Sequence, residues 1–169
     1  MDELKKRIID KFGDALRVRV CGICIEDNKM LLVNHRSLRK GADFWSPPGG
    51  GMEFGQSAEE NLKREFLEET GLTVTVKKFL CAHEFLSPPL HAIELFFEVK
   101  KVAGTLKTGT DPEMGEDDQI IQNVCFMDFN RLLILPKDHK HQILSQIRKV
   151  GDVAKLHGFY PRFTDMDLH

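Results

Sequence analysis

The sequence lacks the long apolar run that a membrane-spanning helix requires. No stretch of it approaches the roughly 18 consecutive apolar residues that cross a bilayer. Its first residues form a charged segment, without the apolar core of a signal peptide. These absences predict a cytoplasmic protein with no membrane partner.

An excess of charge of one sign is also missing. The 169 residues contain 24 lysines and arginines against 26 aspartates and glutamates, for a formal net charge of −2. General electrostatic attraction to nucleic acid or to an anionic membrane is therefore not expected, and no specific nucleic-acid partner is predicted. Because the chain has no linker, repeat or low-complexity tract, we expect residues 1–169 to form one domain, with the role of the tail 156–169 left open.

Cysteine is sparse, with only four residues in the chain. Cys21 and Cys24 form a C-x-x-C motif, which in other contexts binds zinc or carries redox chemistry. The motif lies in a run that is typical of a strand, where residues three apart point to opposite faces. No second C-x-x-C is present, so we predict buried free thiols.

The most informative feature present is a glycine-rich segment that leads into an acidic helix. Residues 47–51 read PPGGG, which predicts irregular structure whose backbone can approach a ligand closely. Ser57 and Glu60 have the spacing of a capping box, and Gly71 is a natural C-terminal stop. The helix is therefore predicted to begin near residue 58 and to end before Gly71.

Three glutamates of this helix have the spacing that places side chains on one face. Glu65, Glu68 and Glu69 stand at i, i+3 and i+4. Like charges in this arrangement repel, whereas a hard divalent cation with oxygen ligands would turn the repulsion into coordination. Leu62 and Phe66 are predicted to face the core, which would put the carboxylates beside the buried stripe. An ordinary glutamate-rich surface helix is the alternative.

The segment from Gly50 to Leu72 resembles the signature of the Nudix hydrolase family. That signature reads Gly, five residues, Glu, seven residues, Arg-Glu, an aliphatic or aromatic residue, any residue, Glu-Glu, any residue, Gly and an apolar residue. Residues 64–72, REFLEETGL, complete it without a mismatch. One position departs, because Gln56 stands where the family has glutamate. The resemblance implies an α/β fold with a mixed sheet packed between helices, the Nudix α/β/α sandwich.

The resemblance also implies a metal-dependent reaction. The family hydrolyses nucleoside diphosphates linked to another group, usually with Mg²⁺ or Mn²⁺. Carried over to this chain, Glu65, Glu68 and Glu69 are metal ligands, or one of them is the base toward water. Arg64 is expected to orient a glutamate of the helix. The carbonyl of Gly50 is a further candidate ligand.

Candidates for substrate binding lie on both sides of the signature. His35 and Arg36 precede it, and Arg36 is the preferred partner for a substrate phosphate. Trp45 either stacks on a base or packs in the interior. Gly51 belongs to the glycine segment, and Pro88 has the spacing typical of the family's ADP-ribose pyrophosphatases. The acidic loop 108–118 supplies candidates for a further ligand or base, which are Glu116, Asp117 and Asp118.

The hydrophobic pattern predicts strands enclosing one central helix. The predicted helices cover residues 2–12 and 138–150, besides the helix of the signature, and the predicted strands cover residues 17–26, 29–35, 73–85, 91–101 and 119–129.

The leading functional prediction is hydrolysis of ADP-ribose or a related nucleotide sugar. A nucleoside triphosphate pyrophosphatase that clears non-standard nucleotides is the alternative within the same class. A nucleotide-binding regulator without activity is an alternative of another class. Such regulators usually lose carboxylates from the helix, and this chain keeps all three, which favours an enzyme. A homodimer is a further expectation from the family.

Overall fold

A mixed β-sheet organises the chain. The computed structural model describes residues 3–36, 43–111, 114 and 119–161. The helices are α1 (Glu3–Phe12), α2 (Ala58–Thr70) and α3 (Phe129–Ile134). The strands are β1 (Leu16–Glu26), β2 (Lys29–Arg36), β3 (Asp43–Ser46), β4 (Gly49–Gly51), β5 (Leu72–Ser87), β6 (Leu90–Gly104), β7 (Ile121–Asp128) and β8 (Phe159–Tyr160). None of the described helices is long and apolar enough to cross a bilayer.

The strand β1 joins the two parts of the sheet. The order is β3-β2-β1-β6-β5-β8, with β4 paired to β1 and β7 paired to β2. β1 runs parallel to β6 and antiparallel to β4. β5 and β6 form a long antiparallel hairpin, which confirms two of the predicted strands. The predicted α/β class with a mixed sheet is therefore confirmed.

The two faces of the sheet carry separate hydrophobic cores. Cys24 packs with Phe66 of α2 on one face, whereas Cys21 packs with Leu144 on the other. The two cysteines of the C-x-x-C motif thus point to opposite faces, and all four cysteines are free thiols, as predicted. Burial raises the pKa values of Cys21 and Cys24, which keeps these thiols protonated.

The helix predicted over residues 138–150 is wrong. Three short 3-10 turns, at Lys137–His139, Gln142–Gln146 and Val150–Lys155, occupy this region instead. Lys140 forms a parallel bridge with Trp45, and the backbone N–H of His141 donates to the carbonyl of Trp45 at 2.8 Å. A continuous helix would lose these bonds, because its N–H groups are used within the helix.

The glycine segment also differs from its prediction. Gly49–Gly51 is the strand β4, and its three residues pair with Cys21, Val20 and Arg19 of β1. Gly49 has φ of +153°, and a Cβ at this position would overlap the carbonyl of Val20. Glycine therefore permits the close strand pairing here, rather than preventing regular structure.

Candidate active site

The local signals that predicted α2 are present in the structure. The Ser57 side chain accepts a hydrogen bond from the backbone N–H of Glu60 at 3.2 Å. The Glu60 carboxylate accepts one from the backbone N–H of Ser57 at 2.8 Å. Gly71 ends the helix in the left-handed conformation, with φ of 71°. The predicted capping box and glycine stop are therefore confirmed.

A loop segment fixes the C-terminal end of α2. The backbone N–H of Gly109 donates to the carbonyl of Glu69 at 2.9 Å, and that of Thr110 donates to the carbonyl of Glu68 at 3.2 Å. These bonds satisfy carbonyls that have no partner within the helix. They also fix the backbone that carries two of the three glutamates. The candidate ligands Glu116, Asp117 and Asp118 lie outside the described residues.

The carboxylates lie beside the buried stripe of α2, as the helical spacing predicted. Leu62 and Phe66 are fully buried. Glu65 and Glu69 are only 2% and 3% exposed, and Glu68 is half-buried. The alternative of an ordinary surface helix is therefore excluded, because such a helix keeps its glutamates in water.

The strand β4 holds the two buried carboxylates. An Oε2 atom of Glu69 accepts a hydrogen bond of 2.8 Å from the backbone N–H of Gly49. The Glu65 carboxylate lies against the backbone of Gly50, in space that a Cβ at position 50 would occupy. The backbone of β4 thus holds Glu69 through a hydrogen bond, and it admits Glu65 because position 50 has no side chain.

Arg64 contacts two of the three carboxylates, those of Glu65 and Glu68. Its Nη1 lies 2.8 Å from Oε2 of Glu68, and its Nη2 lies 3.0 Å from Oε1 of Glu65. Nη2 also donates to Oδ1 of the buried Asn61 at 3.2 Å. One guanidinium therefore faces two of the three glutamates, and the group as a whole carries excess negative charge.

That excess charge fits a hard divalent cation, which prefers carboxylate oxygens. The three glutamates are not tightly gathered, because Arg64 holds Glu68 while Gly49 holds Glu69. Within the part of the chain that the structure describes, one group of three potential ligand side chains has its ligand atoms within 4.8 Å of one another. It consists of His83, Glu94 and His141, which are buried elsewhere in the fold.

Gln56 is connected to Arg64 through Glu53, a residue that the sequence analysis did not single out. Its Nε2 donates to Oε2 of Glu53 at 2.7 Å. Oε1 of Glu53 in turn lies 3.6 Å from Nη2 of Arg64. Glu53 thus supplies a carboxylate near Arg64, although the position that matches the family glutamate is an amide.

His35, rather than Arg36, points toward the glutamates. His35 Nε2 lies 3.9 Å from Oε1 of Glu69, and its Nδ1 lies 3.3 Å from Oγ of Ser46. Arg36 is exposed at the end of β2. Adjacent strand residues point to opposite faces, which explains the difference.

The structure corrects the substrate-binding role predicted for Trp45. Its side chain is 3% exposed and belongs to the core that contains Leu144. Stacking on a base needs an open ring face, and this ring is packed. Pro88 is exposed in the β5–β6 turn, and Gly51 is buried in β4.

A cavity of about 220 Å³ is lined by His35 and by Cys21 and Phe96 of the core that contains Leu144. Arg19 and Glu94 contribute polar groups to its wall, and Phe12 and Phe44 contribute aromatic rings. Its size and mixed lining are those of a pocket for part of a small molecule. Sequence patterns did not indicate this pocket, because its walls come from distant segments.

Comparisons with known proteins agree with this geometry. The model of the NUDIX domain matches residues 15–149. An ADP-ribose pyrophosphatase from Methanocaldococcus jannaschii is 35% identical over 86% of this chain and 82% of its own length. An 8-oxo-dGTP diphosphatase from Buchnera aphidicola is 24% identical over 78% of this chain and 92% of its own length. A solved NUDIX hydrolase from Nitrosomonas europaea has the same fold, with a TM-score of 0.68, 20% identity, and coverage of 89% and 99% of the two chains. The chain therefore belongs to the Nudix family of pyrophosphate hydrolases.

Proposed function

We propose that this Nudix hydrolase cleaves the pyrophosphate of ADP-ribose, or of a closely related nucleotide sugar, with Mg²⁺ or Mn²⁺. Water attacks one phosphorus, the bridging P–O bond breaks, and AMP and ribose 5-phosphate are released. The observation that carries this proposal is the pair of buried carboxylates, Glu65 and Glu69, held against β4. The M. jannaschii relative supports ADP-ribose, because its similarity extends over most of both chains.

The proposed metal ligands are Glu65, Glu68 and Glu69, with the carbonyl of Gly50 as a further candidate. The metal, when bound, neutralises phosphate oxygens and lowers the pKa of the attacking water. Arg64 positions Glu65 and Glu68 through its two charge-assisted contacts. One of the three carboxylates is proposed to accept the proton of the water.

Substrate contacts are proposed around the ends of β2 and β5. Arg36 is exposed and is proposed to bind a substrate phosphate. Pro88, exposed in its turn, is proposed to flank the nucleotide. Gly51 is proposed to contribute only the close approach of its backbone. A cytoplasmic location, a homodimer and the absence of a specific nucleic-acid partner are kept as predictions.

A nucleoside triphosphate pyrophosphatase is the second candidate. The observation that favours it is the similarity to the 8-oxo-dGTP diphosphatase from B. aphidicola, which covers most of both chains. The two candidates differ in their products, because a triphosphate yields a nucleoside monophosphate and pyrophosphate.

The test is a product analysis over a panel of nucleotides. ADP-ribose, other nucleotide sugars and standard and oxidised nucleoside triphosphates are each incubated with the protein and Mg²⁺, and a parallel set contains a chelator. AMP and ribose 5-phosphate as the fastest-formed products support the proposal. Faster release of pyrophosphate from triphosphates would replace it with the second candidate. Glu69→Gln is the matched inactive control, because it removes one charge with little change of shape.

A further inference from the structure

A second polar cluster is buried on the sheet face opposite α2. Glu94 lies on β6, two residues before Phe96 of the core on that face, and His83 is its direct partner on β5. Oε2 of Glu94 lies 2.7 Å from Nε2 of His141 and 3.0 Å from Nδ1 of His83. The side chain of Gln142 lies 3.0 Å from Nε2 of His83. Glu94, His83 and His141, which form the cluster, are all buried.

The hydrogen bonds of His141 disfavour a metal ion in this cluster. Nδ1 of His141 accepts a hydrogen bond of 3.1 Å from the backbone N–H of Ile143. The proton of the neutral ring is therefore on Nε2, which donates to Glu94. A metal on Nε2 would move that proton to Nδ1, where it would oppose the N–H of Ile143. The cluster is thus built for hydrogen bonding.

Glu94 is held as a carboxylate. Burial by itself would raise its pKa, but His141, His83 and Arg19 together hold the pKa of this carboxyl well below its usual value. Nε of Arg19 lies 3.5 Å from Oε1 of Glu94. The cost of burying the charge is offset by these donors, so Glu94 remains a hydrogen-bond acceptor throughout the working pH range.

The two carboxylate oxygens of Glu94 have different partners. Oε2 takes both imidazole N–H groups, whereas Oε1 has the long contact to Arg19. Glu94, Arg19 and His141 line the cavity, and His83 does not. His83 therefore holds the carboxylate from outside the cavity, while His141 holds it from within the cavity wall.

The same cavity adjoins the proposed catalytic carboxylates through His35, although none of the three glutamates lines it. His35 lines it, and Nε2 of His35 lies 3.9 Å from Oε1 of Glu69. Nη2 of Arg19 donates to the carbonyl of Gly49 at 3.2 Å, and the N–H of Gly49 donates to Glu69. A substrate with its pyrophosphate near Glu69 would therefore have this cavity, which Phe12 and Phe44 help to line, next to it for the attached base.

We propose that Glu94 is a specificity-determining residue that accepts a hydrogen bond from the amino group of the substrate's base, with His83 and His141 as its positioning residues. This inference rests on the proposed function and names the base that the pocket takes. Oε1, which neither imidazole bonds and which lies 3.5 Å from Nε of Arg19, is the acceptor that fits the amino group of adenine. A keto oxygen at the same ring position would face the carboxylate without a proton between them, so a hypoxanthine base is rejected.

The experiment compares AMP with inosine 5′-monophosphate, in which a keto oxygen replaces the amino group and the neighbouring ring nitrogen carries a proton. Calorimetric titration of the wild-type protein is expected to give AMP at least about ten-fold tighter binding, as expected for one hydrogen bond to a charged acceptor. In Glu94→Gln, the amide oxygen still accepts from the imidazoles, and the NH₂ group takes the place of Oε1. The preference should then fall to parity or reverse. A wild-type protein that binds both nucleotides equally would overturn the inference without any variant.

Turnover separates this inference from the proposed function. For wild type, kcat/KM should be higher for ADP-ribose than for its inosine analogue by a similar factor, and Glu94→Gln should change that ratio through KM. Equal losses for both substrates in Glu94→Gln would show a merely structural role and overturn the inference. Glu98→Gln, on the same strand but paired with Lys78 at the surface, is the control that should leave the ratio unchanged. If ADP-ribose is not hydrolysed while AMP is still preferred through Glu94, the proposed function fails and the inference stands.

Discussion

The backbone of Gly50 and the carboxylate of Glu65 occupy adjoining space, with no room for a Cβ between them. Glu65 is nearly fully buried at this point. The glycine that begins the family signature therefore has a steric task in this chain, which is to admit a carboxylate against the β4 strand.

Gly50→Ala is predicted to remove most activity with a modest loss of stability. The new methyl group would displace the end of the Glu65 side chain, which can rotate more easily than backbone can move. The measurement is kcat at several Mg²⁺ concentrations, together with a thermal melt. We expect activity to fall by about ten-fold or more, the loss typical for a displaced metal-site group. Gly151→Ala, at a position with open space around it, should behave as wild type.

Substitution of the proposed metal ligands should lower activity and should reduce the gain in thermal stability that Mg²⁺ gives. Glu68→Gln and Glu69→Gln should each lower turnover by about a hundred-fold or more. Without metal, both should be about as stable as wild type, because the relief of repulsion among the glutamates at i, i+3 and i+4 is offset by weaker bonds to Arg64 or to the N–H of Gly49.

Thermal melts with and without Mg²⁺ check this prediction. Wild type should gain stability by mass action, and both variants should gain less. Equal metal-induced shifts in the three proteins would contradict the assignment of these glutamates as ligands.

Gln56→Glu is predicted to be tolerated in activity, with a small loss of stability. The new carboxylate would face Glu53 in place of the present 2.7 Å hydrogen bond, at an exposed site where repulsion is weak. The double variant Glu53→Gln/Gln56→Glu exchanges the two groups and should recover the wild-type melting temperature. The Mg²⁺ dependence of turnover is measured in all three proteins. A large loss of activity in Gln56→Glu alone would show that the site requires a neutral group here.

Trp45→Ala is predicted to act on folding. Truncation of a buried tryptophan typically costs about 3–5 kcal/mol, because it leaves a cavity. Denaturant unfolding should show this loss, and the KM of the folded fraction at low temperature should stay near the wild-type value. Unchanged stability with a raised KM would restore the base-stacking role.

The features that sequence predicted well are local ones. Ser57, Glu60 and Gly71 act on α2 within a few residues, so the helix bounds follow from spacing alone. The burial of Glu65 and Glu69 follows from their angular position next to Phe66. The resemblance to the Nudix signature depends on the same short segment.

The features that sequence missed depend on long-range pairing. Trp45 and Lys140 are far apart in the chain, yet they form a β-bridge. This bridge lies where the helix over residues 138–150 was predicted, and the tryptophan that forms it is buried. Glu94 and His141 likewise have no local signal that joins them, although their atoms lie 2.7 Å apart. Hydrophobic periodicity reports which face is buried and leaves the partner undetermined.

The buried cluster around Glu94 predicts a pH dependence of stability. Burial lowers the pKa of His83, but its hydrogen bonds to Glu94 and Gln142 and the charges of Glu94 and Glu84 outweigh that effect and raise the pKa above 6.5. The contribution of His83 to the stability of the fold is therefore complete below pH 6.5, and it is lost as the pH rises through the folded-state pKa. Glu94 has a pKa lowered below 4.5, so its contribution is complete above 4.5 and is lost as the pH falls. The pair therefore stabilises the fold most between these two values.

Thermal melts of wild type and His83→Gln, at about pH 5.5 and about pH 8.5, test this sign. The variant keeps two polar groups but cannot titrate, so wild type should exceed it in melting temperature by more at the lower pH. His91→Gln removes a histidine that pairs with Glu84 near the surface, and it should show a much smaller difference between the two conditions. A larger advantage of wild type at the higher pH would mean that His83 is neutral in the folded state, since only a charged imidazolium gains from Glu94 in this way.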